Sequence, residues 1–110
     1  MPMRMSDAST VSSAYQPRAL PLHRRHIQYS GRVQGVGFRY TVKNIAMRFN
    51  VCGYVRNLSD GRVELVMEGP AEEIEQMVQA VQERMSDYIR SAEISTYPAT
   101  GEFSYFQIQH

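Results

Sequence analysis

The stretch that decides the fold is residues 52–68, CGYVRNLSDGRVELVME. Its first part, residues 52–58, has the aromatic and β-branched composition that is typical of a strand. Its last part, residues 62–68, alternates apolar and charged side chains with the two-residue period of a strand. Between them lies the turn sequence Ser59-Asp60-Gly61, in which Gly61 can adopt a positive φ. The stretch therefore predicts a β-hairpin.

An amphipathic helix is predicted on each side of this hairpin. The upstream helix ends near Asn50, and its apolar stripe has the 3.6-residue period of a helix: Phe38, Val42, Ile45, Ala46 and Phe49. The downstream helix opens at Gly69-Pro70 and carries acidic residues in its first turns, where the helix dipole favours negative charge. Its apolar stripe consists of Ile74, Met77, Val78, Val81 and Met85.

Further strands are predicted at residues 26–30, 88–97 and 103–109. The element order is then βαββαβ with an additional short C-terminal strand. In an α+β chain this connectivity predicts a ferredoxin-like sandwich, an antiparallel sheet with two helices on one face. We assign residues 26–110 to this domain. Residues 1–25, rich in Ser, Ala, Pro and Met, are predicted to be a disordered extension.

Composition excludes several classes of protein. A chain of 110 residues with 43% hydrophobic residues is enough for one domain. A single cysteine, Cys52, allows no disulfide within the chain, which fits the reducing cytoplasm. Cys52 and the three histidines lack the spacing of metal ligands, and no apolar run approaches the ~20 residues of a membrane span. Residues 26–110 carry a net charge of −2, which argues against nucleic acid as a partner.

Residues 31–39, GRVQGVGFR, join the first strand to the first helix. A helix N-terminus presents unpaired N–H groups and the positive end of the dipole, and glycines let the preceding loop curl around an anion. Arg39, in the first helical turn, could grip the same anion bidentately. The glycine spacing matches neither of the common nucleotide-binding motifs. By itself the loop is compatible with a phosphate cradle or with a tight turn that binds nothing.

A second short motif, residues 53–57, GYVRN, ends the strand before the hairpin turn. Taken alone, Asn57 is better explained as a residue that shapes the turn than as a site residue. Arg56 and Arg62, which flank the turn, are predicted to be solvated.

Both motifs together, in this order and at this separation, resemble the acylphosphatase family, and the resemblance extends over residues 26–109. It implies a ferredoxin-like fold and hydrolysis of acyl phosphates to a carboxylate and inorganic phosphate, with neither a metal nor another cofactor. By position, Arg39 would hold the phosphate and Asn57 would orient the attacking water. The phosphate would lie against the backbone N–H groups of Gln34, Gly35, Val36, Gly37, Phe38 and Arg39.

The sequence departs from the family at its end, where Gln107–His110 replace the basic residues that are common there. We expect a monomer that acts on a small acyl phosphate, is inhibited by inorganic phosphate, and has no nucleic-acid or membrane partner. Two rival hypotheses stay open. One is a non-catalytic phosphate-binding regulatory module. The other is an RNA-binding domain of the same topology, for which Tyr29 and Tyr54 would be the base-stacking residues.

Overall fold

The elements follow one another in the predicted order over residues 22–110, the part of the chain that the computed structural model describes. They are β1 (Leu22–Gly31), α1 (Phe38–Ala46), β2 (Cys52–Asn57), β3 (Val63–Pro70), α2 (Ala71–Arg84), β4 (Ile89–Pro98) and β5 (Phe106–Gln109). β1 begins before the predicted start at residue 26, so residues 22–25 belong to the strand. The rest of the predicted extension lies outside the described residues. No helix within residues 22–110 has the length and apolar character to cross a membrane.

The sheet has the strand order β4-β1-β3-β2-β5. The pairs β1–β3, β1–β4 and β2–β3 are antiparallel, whereas β2 and β5 are parallel. This arrangement confirms the ferredoxin-like α+β prediction, with one refinement: the C-terminal strand makes the sheet mixed rather than purely antiparallel. Because β5 runs parallel to β2, the C-terminal ends of the two strands lie side by side at one end of the sheet.

The hydrophobic core lies between the sheet and the two helices. Ile27, Leu65 and Val55 are in register on neighbouring strands, and all three are fully buried. The helices cover them with their apolar stripes, the buried members of which include Phe38, Val42, Ile45, Ile74, Met77, Val81 and Met85. The apolar stripes predicted from the sequence therefore supply the helix residues of the core. α1 ends at Ala46, earlier than the predicted Asn50.

Two carboxylates, Glu64 and Glu68, are buried on the opposite face of the sheet, with 5% and 4% exposure. Glu64 lies 2.6 Å from His26 Nε2 and accepts hydrogen bonds from Arg56 Nε at 2.6 Å and the Tyr54 hydroxyl at 3.1 Å. Burial raises the pKa of this carboxyl, but these partners outweigh burial and hold the pKa below its ordinary value. Arg56 is exposed, as predicted, and in addition its guanidinium pairs with Glu64.

Glu68 fastens the segment between β4 and β5. Its carboxylate accepts hydrogen bonds from the backbone N–H groups of Thr100 at 2.9 Å and Gly101 at 3.0 Å, and from Arg24 Nη1 at 3.0 Å. Burial opposes the ionised form, yet the hydrogen bonds prevail and lower the pKa of Glu68. A buried carboxylate thus fixes the turn from which the chain enters β5.

Candidate active site

The loop between β1 and α1 ends in a left-handed backbone conformation that glycine adopts more readily than other residues. Gly37, the N-cap of α1, has φ 76° and ψ 18°, in the left-handed region. At the other end of the loop, the N–H of Arg32 donates to the Tyr88 carbonyl at 2.9 Å. The loop is therefore fixed at one end by a backbone hydrogen bond and turns sharply into the helix at the other.

The backbone N–H groups of residues 34–39 have no hydrogen-bond acceptor among residues 22–110. The first hydrogen bond of α1 runs from the N–H of Thr41 to the carbonyl of Gly37, at 3.0 Å. The first turn of α1 contains no acidic residue, and no side chain caps the helix. The positive end of the helix dipole is therefore uncompensated within the described chain, as in an anion-binding helix N-terminus.

The side chain of Gln34 joins this loop to the β2–β3 hairpin. Its Nε2 donates to the carbonyl of Leu58 at 2.8 Å and to the carbonyl of Arg62 at 2.9 Å. Since the side chain is occupied in this way, Gln34 can contribute only its backbone N–H to an anion. The two hydrogen bonds hold the loop against the hairpin arm that carries Asn57.

A pocket of about 670 Å³ opens at this junction. Arg39 and Asn57, distant in sequence, both line it, together with Gly35, Gly37 and Phe38 from the predicted cradle. Gln34 and Val36 do not line it. The remaining lining residues come from the loop between β1 and α1, from α1 and from the β5 region: Val33, Tyr40, Lys43, Tyr105, Phe106, Gln107, Ile108 and His110.

The guanidinium of Arg39 has no carboxylate partner among the described residues. Its Nη1 lies 3.5 Å from the Gln109 carbonyl and 3.4 Å from Nδ1 of His110. Both contacts are long for hydrogen bonds. A positive charge at the positive end of a helix is unfavourable unless an anion joins it. The Arg39 charge is thus held at the pocket with little to neutralise it.

Asn57 presents a buried amide oxygen, Oδ1, that has no hydrogen-bond partner within residues 22–110. An unsatisfied buried acceptor costs about 1–3 kcal/mol, and in native proteins such groups often serve a function. In register, Asn57 faces Val63 across the hairpin, so its backbone is held by the sheet. Asn57 is a lining residue of the pocket, and a turn-shaping role does not account for an unpaired buried oxygen in its side chain.

Several pocket residues were not predicted from the sequence. Tyr105, Ile108 and His110 reach the site because β5 pairs in parallel with β2, and such long-range pairing leaves no local pattern in the sequence. Lys43 could have been found, because it stands four residues after Arg39 and so shares its side of α1. Tyr29, the base-stacking candidate of the RNA hypothesis, is 1% exposed and packs against Phe38 in the core.

Two other kinds of chemistry, attack by a cysteine thiolate and catalysis by a metal ion, have little support among residues 22–110. Burial, and then the charge of Glu68, raise the pKa of the Cys52 thiol, which favours the protonated form over a nucleophilic thiolate. Within residues 22–110, no three His, Cys, Asp or Glu side chains cluster as metal ligands would. The pocket instead offers a guanidinium, a loop of free backbone N–H groups and the side chain of Asn57, which suits the binding of an oxyanion.

Comparison with known proteins places the chain in a family. The acylphosphatase family model matches residues 25–108. An acylphosphatase from Pyrobaculum islandicum is 40% identical over 87 residues, which cover 77% of this chain and 92% of that protein. The chain therefore belongs to the acylphosphatase family. Five further curated acylphosphatases are 49–54% identical over shorter spans, and there the chain matches only 56–63% of the relative's length.

Solved structures agree with this assignment. The acylphosphatase from Bacillus subtilis matches with a TM-score of 0.73 and 31% identity, over 80% of this chain and 99% of that one. Full-length HypF in its phosphate- and nucleotide-bound form matches with a TM-score of 0.71 and 30% identity, over 83% of this chain but only 12% of HypF. The same fold thus occurs both as a whole small protein and as a minor part of a large one.

Proposed function

We propose that this chain hydrolyses the carboxyl–phosphate anhydride bond of acyl phosphates, using Arg39 and Asn57 and no metal. One observation carries the proposal: a single pocket is lined by Arg39, by the glycine loop at the start of α1 and by Asn57. Arg39 and Asn57 lie far apart in sequence, and the fold of the sheet has no evident need of either residue at this position. Membership of the acylphosphatase family supports the same activity.

In this mechanism the phosphoryl group binds at the start of α1. The N–H groups of residues 34–39 donate to its oxygens, and the Arg39 guanidinium neutralises the charge that the transition state spreads over them. Such fixed donors and charges act by stabilising the transition state, and they need no rearrangement during the reaction. The long contacts of Arg39 with Gln109 and His110 give way to shorter hydrogen bonds with the anion.

The leaving group explains why so few side chains suffice. When the bond between phosphorus and the bridging oxygen breaks, its electron pair leaves on a carboxylate, the conjugate base of an acid with pKa near ~4. Such a group departs without protonation, so no general acid is required. A loose phosphoryl-transfer transition state also asks little of a general base.

Asn57 positions the nucleophile. Its side-chain amide hydrogen-bonds a water molecule and holds that water in line with the breaking bond. The water oxygen bonds to phosphorus as the carboxylate departs, and the water proton passes to a phosphoryl oxygen. The products are a carboxylate and inorganic phosphate, which occupies the same cradle and therefore inhibits.

We also infer that the chain works as a cytoplasmic monomer on a small-molecule substrate, without a nucleic-acid or membrane partner. The rival function is a non-catalytic phosphate-binding module, since a domain of this fold makes up a small part of HypF. The two functions differ in turnover and not in phosphate affinity.

Hydrolysis of benzoyl phosphate by the full chain tests the proposal, with Arg39→Ala as the control variant. We expect turnover that persists in EDTA, is inhibited competitively by inorganic phosphate, and is lost in Arg39→Ala. Circular dichroism should show that the variant is folded, because Arg39 makes only two long contacts. A folded wild-type chain that binds phosphate but hydrolyses nothing would instead establish the binding module, and inhibition by EDTA would exclude the metal-free mechanism.

A further inference from the structure

The pocket is much larger than a phosphoryl group requires. Its volume is about 670 Å³. A phosphoryl group at the loop fills a small part of it. The remaining space lies beyond the scissile bond, where the acyl part of a substrate would be.

This remaining space is a groove between α1 and β5. Tyr40 on α1 and Tyr105, which precedes β5, stand at its rim with 69% and 64% exposure. Ile108 of β5 lines its floor. Exposed aromatic side chains beside a pocket provide apolar contact area, which suits the methylene groups of an acyl chain.

Lys43 places a second positive charge in the same groove. It follows Arg39 by four residues on α1, so their Cβ atoms are about 6 Å apart on one side of the helix. Lys43 is half-buried, and no hydrogen bond or ion pair joins it to another residue in the range 22–110. The pocket lining contains no aspartate or glutamate. A lysine in the last turn suits the helix dipole, but the dipole does not explain why the groove around it lacks aspartate and glutamate side chains.

We propose that Lys43 forms a second anion subsite, so that the preferred substrates are acyl phosphates whose acyl group carries a second anionic group. The proposal rests on the function proposed above. Arg39 and the loop would hold the phosphoryl group, Lys43 the distal anion, and the groove the carbon chain between them. Two methylene groups between the acyl carbonyl and a carboxylate place the carboxylate about 6 Å from phosphorus in an extended chain. Arg39 and Lys43 share one side of α1, so the flexible Lys43 side chain can meet a carboxylate at that range.

A matched pair of ligands tests the subsite. Succinyl phosphate and butyryl phosphate have acyl chains of equal length. The succinyl chain ends in a carboxylate, whereas the butyryl chain ends in a methyl group. Their β-ketophosphonates, in which a methylene replaces the bridging oxygen, cannot be hydrolysed and report binding alone. The measurement is the ratio of affinities for the two β-ketophosphonates by calorimetry, together with the ratio of kcat/KM for the two acyl phosphates. The variants are Lys43→Gln, Lys43→Arg, and, as a control, Arg48→Gln in the turn that follows α1, outside the pocket.

We expect the wild-type chain to prefer the succinyl compounds and Lys43→Gln to reduce that preference about five- to tenfold, as expected for loss of one partly desolvated ion pair. Lys43→Arg and Arg48→Gln should keep it. If Lys43→Gln left the ratio between succinyl and butyryl compounds unchanged, the subsite would be overturned. That holds even if the affinities for both compounds fell equally, because such a loss would reflect a long-range attraction of Lys43 for every phosphate ligand. Selective binding without any hydrolysis would support the subsite and refute the proposed function, so the two failures are distinguishable.

Discussion

The side-chain nitrogen of Gln34, Nε2, donates a hydrogen bond to the carbonyl of Leu58 at 2.8 Å. Gln34 belongs to the anion-binding loop, and Leu58 directly follows Asn57. A second hydrogen bond from the same nitrogen reaches the carbonyl of Arg62 at 2.9 Å. One side chain therefore fixes the distance between the group that would hold the phosphate and the group that would hold the water. Catalysis by positioning is sensitive to such a distance.

Replacing Gln34 by alanine should impair turnover more than phosphate binding. The backbone N–H at position 34 remains, but the loop loses its attachment to the hairpin. We expect kcat for benzoyl phosphate to fall about tenfold or more, while the Kd of inorganic phosphate changes by less than about threefold. Gln79→Ala, on the exposed face of α2, is the matched control and should leave both quantities unchanged. Equal losses of kcat and phosphate affinity would refute this positioning role.

Acid should unfold the protein partly through Glu68. The hydrogen bonds of Thr100, Gly101 and Arg24 outweigh the effect of burial and make the pKa of Glu68 lower in the folded than in the unfolded chain. Such a group stabilises the fold above its unfolded pKa, near ~4.3, and the stabilisation is lost as the pH falls through the folded pKa. The free energy of unfolding should therefore decrease below about pH 5.

The variant Glu68→Gln isolates this contribution. At neutral pH it should lower the free energy of unfolding by about 1–3 kcal/mol, because a carboxylate acceptor of several hydrogen bonds is lost. Its stability should also fall less steeply with acid than that of the wild type, as urea denaturation at a series of pH values can show. Glu83→Gln, on the exposed surface of α2, should follow the wild-type curve. A Glu68→Gln curve parallel to the wild type would exclude Glu68 as the acid-sensitive group.

Tyr29→Phe should stabilise the protein. The Tyr29 hydroxyl is buried without a hydrogen-bond partner among the described residues, and burial raises its pKa. Phenylalanine keeps the ring that packs against Phe38, at a centroid distance of 5.3 Å, and removes the unsatisfied group. We expect the free energy of unfolding to rise by about 1 kcal/mol. In the control Tyr54→Phe, the hydrogen bond to Glu64 is lost, so no gain is expected. A destabilised Tyr29→Phe would mean that the hydroxyl has a partner in solution.

Gly53→Ala should destabilise the sheet through a collision. An added Cβ at Gly53 would lie 2.0 Å from the Val66 carbonyl oxygen on β3. The free energy of unfolding should fall by at least about 2 kcal/mol, measured by thermal or urea denaturation. Gly101→Ala is the control, because its φ is also positive but no atom lies within 4 Å of the added Cβ. If both variants lost the same stability, backbone strain alone would explain the effect.

Much of the fold could be predicted because its signals are local. The hairpin turn at residues 59–61 and the apolar periods of both helices lie within single elements, and the structure places them as expected. The burial of Glu64 and Glu68 was not predicted, since in a single strand their alternation with Val63, Leu65 and Met67 is typical of solvent-facing residues. Only the neighbouring strands reveal that His26 and Arg24 lie beside them.

The candidate site was predictable in part. Arg39 and Asn57 belong to motifs that could be identified in the sequence, and the structure brings both to one pocket, while their roles remain predictions. The pocket wall formed by Tyr105, Ile108 and His110 depends on a parallel pairing between β2 and β5. That pairing is decided by tertiary packing, for which the short last strand carries no signal of its own.

The most direct test of the proposed division between binding and chemistry is Asn57→Ala. The variant's kcat for benzoyl phosphate and its Kd for inorganic phosphate, by calorimetry, should be compared with those of the wild type. Loss of the water-positioning side chain should lower kcat by about a hundredfold or more, with the phosphate Kd unchanged within about threefold. Hydrolysis by a folded Asn57→Ala at nearly the wild-type rate would contradict the assignment of Asn57 to the attacking water.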